Sequence, residues 1–219
     1  MIPSIGRNAP VFVAATCLIA LPGCGGETAS VASEAVSEAM PTLEQEARPG
    51  KIWAPGEGDH FWVFPESSET LGSGGEFHIY VDPDTDPAAL ASFARFALGV
   101  GGALPEHRHL KTEEFAYFIS GEGVARLYDD GELRDVPVGA GYVWYNPPGE
   151  WHSIANTGDE PLVLVFATVP NEKKGLLSFF RKISVKPGQE PVTLPPDEFG
   201  RIAAEHDLIL KPAPEAEVP

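Results

Sequence analysis

Cysteine is nearly absent from this 219-residue chain: Cys17 and Cys24 are the only two, and they form no Cys-x-x-Cys pattern. A zinc–thiolate site is therefore excluded. Positive charge is scarce as well. Fifteen Lys and Arg stand against 32 Asp and Glu, a formal net charge of −17. A surface this acidic repels phosphate backbones, which excludes nucleic acid as a partner. The apolar run at residues 11–21 is too short to cross a bilayer, which takes about 20 residues. No internal repeat is present, and no paired arginine marks the N-terminal region.

The composition that remains is that of a β-rich protein. Apolar residues make up 43% of the chain, enough for a core, and 22 prolines and 23 glycines imply many turns. Strand-like runs recur at residues 52–53, 60–64, 77–81, 93–98, 114–119, 124–128, 142–145 and 162–169. Asp129-Asp130-Gly131 and Asn156-Thr157-Gly158-Asp159 are turn signals between them. Many short strands at regular spacing predict an all-β sandwich or barrel. Beyond residue 170 the periodicity becomes helical. Leu176, Leu177, Phe179, Phe180 and Ile183 fall largely on one stripe, and Pro195-Pro196-Asp197 opens a second helix reaching about His206. Asp197 is placed to cap it, with Ile202 and Ala203 facing inward.

Residues 101–156 concentrate the chemistry. They hold His107, His109 and His152, three of the six histidines, and the pair Glu113 and Glu114. On a strand, residues two apart share a face, so His107 and His109 point the same way and Arg108 the other. Glu113 and Glu114 exclude one another for the same reason. If Glu114 faces inward, so do Ala116 and Phe118, while Phe115, Tyr117 and Ile119 form an apolar outer face that needs cover. Three imidazoles and a carboxylate suit one divalent transition metal: iron, manganese, nickel, copper or zinc.

The spacing resembles the two signature motifs of the cupin superfamily. Gly101, His107, His109, Glu114 and Gly121 match the first, and Gly141, Pro147, Gly149, His152 and Asn156 match the second. The separation of the motifs, from Gly121 to Gly141, is similar to that of compact single-domain bacterial members. The resemblance covers about residues 51–170. It implies a double-stranded β-helix, or jelly-roll, barrel in which His107, His109, Glu114 and His152 are the metal ligands. The six-residue gap to Gly121 selects Glu114 over Glu113. Texture at residues 179–210 resembles the C-terminal extension of small quercetinase-like cupins. That likeness implies a metal-dependent dioxygenase acting on a small phenolic or enolic molecule, with dioxygen as co-substrate and Glu114 also taking a substrate proton. A non-enzymatic small-molecule-binding protein and a cupin isomerase or decarboxylase are the alternatives. Phe118, Tyr145 and Trp151 are the expected pocket residues, with Trp144 as a further aromatic beside the second motif. His60, His78 and His206 fall outside both motifs and read as surface or core residues. A homodimer is compatible with the apolar outer face.

Residues 1–23 read as an export signal, with Arg7 before the apolar run. Leu21-Pro22-Gly23-Cys24 resembles the lipobox of bacterial lipoproteins, which implies lipidation of Cys24 and a membrane anchor in the cell envelope. Pro22 departs from the usual small residue there. Gly25 is not the aspartate that resembles an inner-membrane retention signal, so the outer membrane is expected where two membranes exist. Residues 24–50, with no aromatic, read as a flexible tether. The expected order is thus signal (1–23), tether (24–50), cupin domain (51–170), and helical extension with tail (171–219).

Overall fold

The computed structural model of the chain describes residues 48–129 and 131–212. The export signal, Cys24, most of the tether and the last seven residues lie outside the described residues. Among the described residues, no helix is long and apolar enough to cross a membrane.

Among the described residues, twelve strands and two helices follow one another. They are β1 (Asp59–Val63), β2 (Gly75–Val81), β3 (Ser92–Leu98), β4 (Ala103–Arg108), β5 (Glu113–Ser120), β6 (Glu122–Asp129), β7 (Glu132–Gly139), β8 (Val143–Asn146), β9 (His152–Asn156), β10 (Leu162–Val169), α1 (Leu176–Lys182), β11 (Ser184–Val185), α2 (Pro196–Glu205) and β12 (Ile209–Leu210). All pairings are antiparallel. One sheet runs β11-β1-β2-β3-β10-β5-β8 and the other β12-β4-β9-β6-β7. This is the expected all-β jelly roll with a short helical extension.

Strand parity builds the core. Phe61, Phe77, Ile79, Phe96, Phe118, Leu164 and Phe166 are buried between the sheets. In β5, Ala116 and Phe118 are buried while Phe115, Tyr117 and Ile119 are about half exposed. Fully burying one such side chain is worth about 1.5–3 kcal/mol, which makes a one-residue slip of β5 prohibitive. The helices close one end of the same core. Leu176, Leu177, Phe179 and Phe180 of α1 are buried, as are Ile202 and Ala203 of α2. Arg181 fixes α1 to the sheet through Asp82, at 2.7 Å, and through Asp59.

Three local expectations are corrected. Residues 52–53 form no strand. The second helix is not capped by Asp197. Its N-cap is Pro195, which has no side chain able to cap, and Asp197 sits in the first turn, where its charge favours the helix dipole. Strand β7, absent from the sequence reading, forms the edge of the smaller sheet, the position at which Pro137 is tolerated.

Candidate metal centre

The three motif histidines converge because two strands and one loop bring them together. His107 on β4 and His152 on β9 are cross-strand partners. His109 lies one residue beyond β4, in the loop leading to β5. The ring centroids are 4.3 Å apart for His107 and His152, 5.2 Å for His107 and His109, and 5.4 Å for His109 and His152. Ligand nitrogens of the three lie within 4.8 Å of one another, and all three residues are buried. On β5, Glu114 turns toward them. Its Oε2 lies 3.5 Å from His152 Nε2 and 4.0 Å from His109 Nε2. Asn146 Nδ2 approaches the same oxygen at 3.4 Å.

Each imidazole is oriented in the same way. The Nδ1 atoms of His107, His109 and His152 lie 2.7, 2.7 and 2.9 Å from the carbonyl oxygens of Pro105, Asp207 and Glu150. A carbonyl only accepts, so each Nδ1–H donates and each Nε2 keeps a free lone pair. Nε2 of His109 and of His152 is buried without a hydrogen-bond partner. An orphaned buried nitrogen costs about 1–3 kcal/mol unless something binds it. Lone pairs aimed at one point, beside a carboxylate, fit a divalent transition metal.

The electrostatics agree. Burial pushes His107 down to about 3, and His152 and His109 add to it. Burial likewise lowers His109. Neutral imidazoles are the ligating form. Burial alone would raise the Glu114 carboxyl, but His152 beside it and the other two imidazoles outweigh this and hold it at about 2. Glu114 is therefore an anion beside the three imidazoles.

Two residues beyond the four expected ligands secure the arrangement, Asp207, which no motif contains, and Gly149 of the second motif. Asp207, in the left-handed conformation at φ 60°, offers its backbone carbonyl to His109. Its carboxylate accepts from the amides of Leu110, Lys111 and Thr112 at 2.9, 3.1 and 3.0 Å, and from the Thr112 hydroxyl at 2.8 Å. One side chain thus clamps the loop behind His109. Gly149, at φ 89°, donates its amide to the His109 carbonyl at 2.6 Å and ties the second motif to the first. A left-handed turn of this kind favours glycine. Asn156, which closes the second motif, is structural. It is buried, and its amide donates to the carbonyls of Leu98, Gly99 and Glu160.

A cavity of about 30 Å³ borders His107, Glu114 and His152, walled by Ala116, Trp144, Ile154, Leu164, Phe166 and Phe180 among others. It shares Phe77, Phe96, Leu104, His107 and Phe180 with a larger cavity of about 200 Å³, which Phe179, Phe199, Leu208 and Leu210 of the extension help to line. Neither is lined by a lysine or arginine.

Of the expected pocket residues, Tyr145 lies on the opposite face of β8, half exposed and stacked on Phe115. Trp151 stacks under the Arg108 guanidinium at 4.6 Å, pointing away from the centre as Arg108 does. Phe118 is fully buried in the core and borders neither cavity. Trp144 takes the place expected of them, edge-on to His152 with centroids 5.6 Å apart. The pairing of Glu114 with Asn146 and of Ala116 with Trp144 sets that parity.

Residues 94–168 match the family model described as cupin domain. Among curated proteins, the chain is similar to an oxalate-binding protein of Thermotoga maritima, 43% identical over 70 residues, 32% of this chain and 54% of that protein. It is similar to an oxalate decarboxylase of Bacillus subtilis, 41% identical over 66 residues, 29% of this chain and 17% of that protein. A 3-hydroxyanthranilate 3,4-dioxygenase of Xanthomonas euvesicatoria is 32% identical over 85 residues, 38% of this chain and 48% of that protein. The chain thus spans about half the length, or less, of the curated relatives it matches. Residues 94–168, which hold the histidine cluster able to bind a metal, are thus a cupin domain.

Proposed function

We propose that this protein is a metal-dependent dioxygenase of a small, single-ring phenolic or enolic substrate. The observation that carries the reading is the cavity: about 200 Å³, walled by aromatic and aliphatic side chains, lacking any cationic one, and adjoining the histidine cluster. Drug-sized ligands need about 300–1,000 Å³, so the volume favours one ring over a fused flavonol. Oxalate is the alternative that two of the relatives suggest. A small dianion, however, would enter a wall of Phe77, Phe96 and Phe180 with no lysine or arginine to receive its second carboxylate.

In this reading His107, His109, His152 and Glu114 would hold one divalent transition metal. When bound, it would supply Lewis-acid chemistry for the reaction of the substrate with dioxygen. The chain's own residues supply the rest. Trp144 and Phe180 border the reacting end of the substrate and exclude water, and the extension closes the outer cavity. Glu114, an anion beside the imidazoles, would serve as a ligand and, in the same reading, take a proton from the substrate.

The envelope location belongs to the same proposal. Leu21-Pro22-Gly23-Cys24 supports lipidation at Cys24, and Cys24→Ser should move the protein out of the membrane fraction. Protein that is already soluble after export would end that part of the reading.

Oxygen uptake by the full chain reconstituted with iron(II) tests the activity. Single-ring enediols and o-substituted phenols should be consumed with dioxygen, while flavonols and oxalate should not. Carbon dioxide release from oxalate without phenol turnover would move the assignment to a decarboxylase. Phenol binding without turnover, with every oxidisable metal tried, would move it to a binding protein.

A further inference from the structure

The outer face of the larger sheet carries a second group of ligand-type side chains. His60 on β1 and His78 on β2 are cross-strand partners, and Glu76 precedes His78 by two. Phe61, Phe77 and Ile79 point into the core, so His60, Glu76 and His78 emerge together on the other side. The two imidazoles stack, with centroids 4.3 Å apart and planes 10° from parallel. His60 Nε2 is 2.9 Å from Glu76 Oε1. One ligand atom from each residue lies within 4.8 Å of the other two.

A second, independent observation gives this group its direction. His78 Nδ1 lies 3.2 Å from the Glu57 carbonyl, so Nδ1 carries the proton and Nε2 presents a lone pair. The three motif histidines are set by the same device. His60 Nε2 and Glu76 Oε1 share a proton that a metal would replace. Arg95 Nη1 holds Glu76 Oε2 at 3.2 Å, which orients the carboxylate and leaves Oε1 on the His60 side. That arginine also opposes a cation, so binding must rest on the imidazoles. This selects metals that prefer nitrogen, zinc and copper(II), over calcium, magnesium or manganese. The side chains of His60 and Glu76 are 36% and 27% exposed, so an ion reaches them from solvent and the His60 ring has room to turn.

We propose that His60, Glu76 and His78 form a second metal site, on the outer face of the barrel, for zinc or copper(II). The proposal does not depend on the catalytic reading of the interior centre. Zinc titration of the untagged, metal-stripped full chain tests it, followed by calorimetry and by direct metal analysis after desalting. The wild type should bind two zinc ions. His60→Gln should bind one, His152→Ala one, and the double variant none. His60 is partly exposed, so its replacement leaves the core untouched, and an unchanged circular dichroism spectrum checks this. Glu76→Gln should weaken the outer ion by more than about tenfold. Calcium and manganese should not compete with zinc for it. Zinc stoichiometry that His60→Gln leaves unchanged would overturn the proposal, as would loss of all zinc in His152→Ala. A single wild-type ion that vanishes in His60→Gln but survives in His152→Ala would keep the outer site and remove the interior one.

Discussion

The interior and outer histidine groups share a construction and differ in setting. Each starts from two histidines paired across antiparallel strands, His107 with His152 inside and His60 with His78 outside. In the interior pair both Nδ1 atoms are tied to backbone carbonyls, and in the outer pair that of His78 is. The interior group adds a third imidazole from a loop, and all three are buried; the outer one has an arginine competing for its carboxylate, and its His60 and Glu76 are partly exposed. A cross-strand histidine pair is thus easy for a sheet to supply. Closing a third ligand over it, in the dry, is what turns a pair into a centre.

The largest expected break in that comparison is His152→Ala. Turnover should be lost altogether, while thermal unfolding shifts by no more than about 1–2 kcal/mol, an ordinary cost for a buried substitution. Full activity in this variant would place the chemistry elsewhere. Next comes the choice of carboxylate. Glu114→Gln should lower metal occupancy more than about tenfold, and Glu113→Gln should leave it near wild type. Metal analysis of the two purified variants decides it, since equal loss would contradict the inward turn of Glu114.

Asp207→Ala should act through His109. Four hydrogen bonds to the loop disappear, at a cost of about 2 kcal/mol in unfolding experiments, and metal release should quicken about tenfold. A purely structural role would change the melting point and leave the release rate alone.

Acid should separate the two groups further. The unfolded chain takes up protons near 6.5 that folded His107 refuses until about 3. Metal-free stability should therefore be complete above about pH 6.5 and decline as the pH falls toward 3. Glu114, lowered from 4.5 to about 2, adds a loss in the same direction over that lower window. The outer group, which water reaches at His60 and Glu76, should give up zinc first on acid titration. Simultaneous release would show that the outer ions are not held at His60 and His78. The smallest effect is expected of Tyr145→Ala: unchanged metal content and turnover. Because Tyr145 and Phe115 stack on an exposed apolar face, we propose that a second copy of the chain covers it, and Tyr145→Ala should weaken such a dimer in sedimentation.

Most of the barrel was legible because strand parity and motif spacing act locally. The alternation of β5 specifies which side Glu114 takes, and the turn glycines space the strands. Other features depend on partners far along the chain. Strand β8 has four residues, too few for its own pattern to say whether Trp144 or Tyr145 faces inward; pairing with β5 decides it. Strand β7 is exposed along most of its length, since an edge strand need bury little, and its apolar residues do not alternate cleanly. Asp207 gives no local signal beyond its place after a helix, because the loop it clamps lies 95–97 residues earlier. His60 and His78 look unremarkable apart, and only the β1–β2 register makes them neighbours.

The hydrogen bond from His109 to the Asp207 carbonyl also sets an order of assembly. The two residues are 98 positions apart. During synthesis, or during passage of an unfolded chain through a membrane, β4 and β9 can pair and bring His107 and His152 together well before Asp207 emerges. Until then the third ring has no anchor and its loop no clamp. A lasting grip on metal at this cluster would therefore be a late event in the life of each molecule, and the compartment holding the chain at that moment would supply the ion.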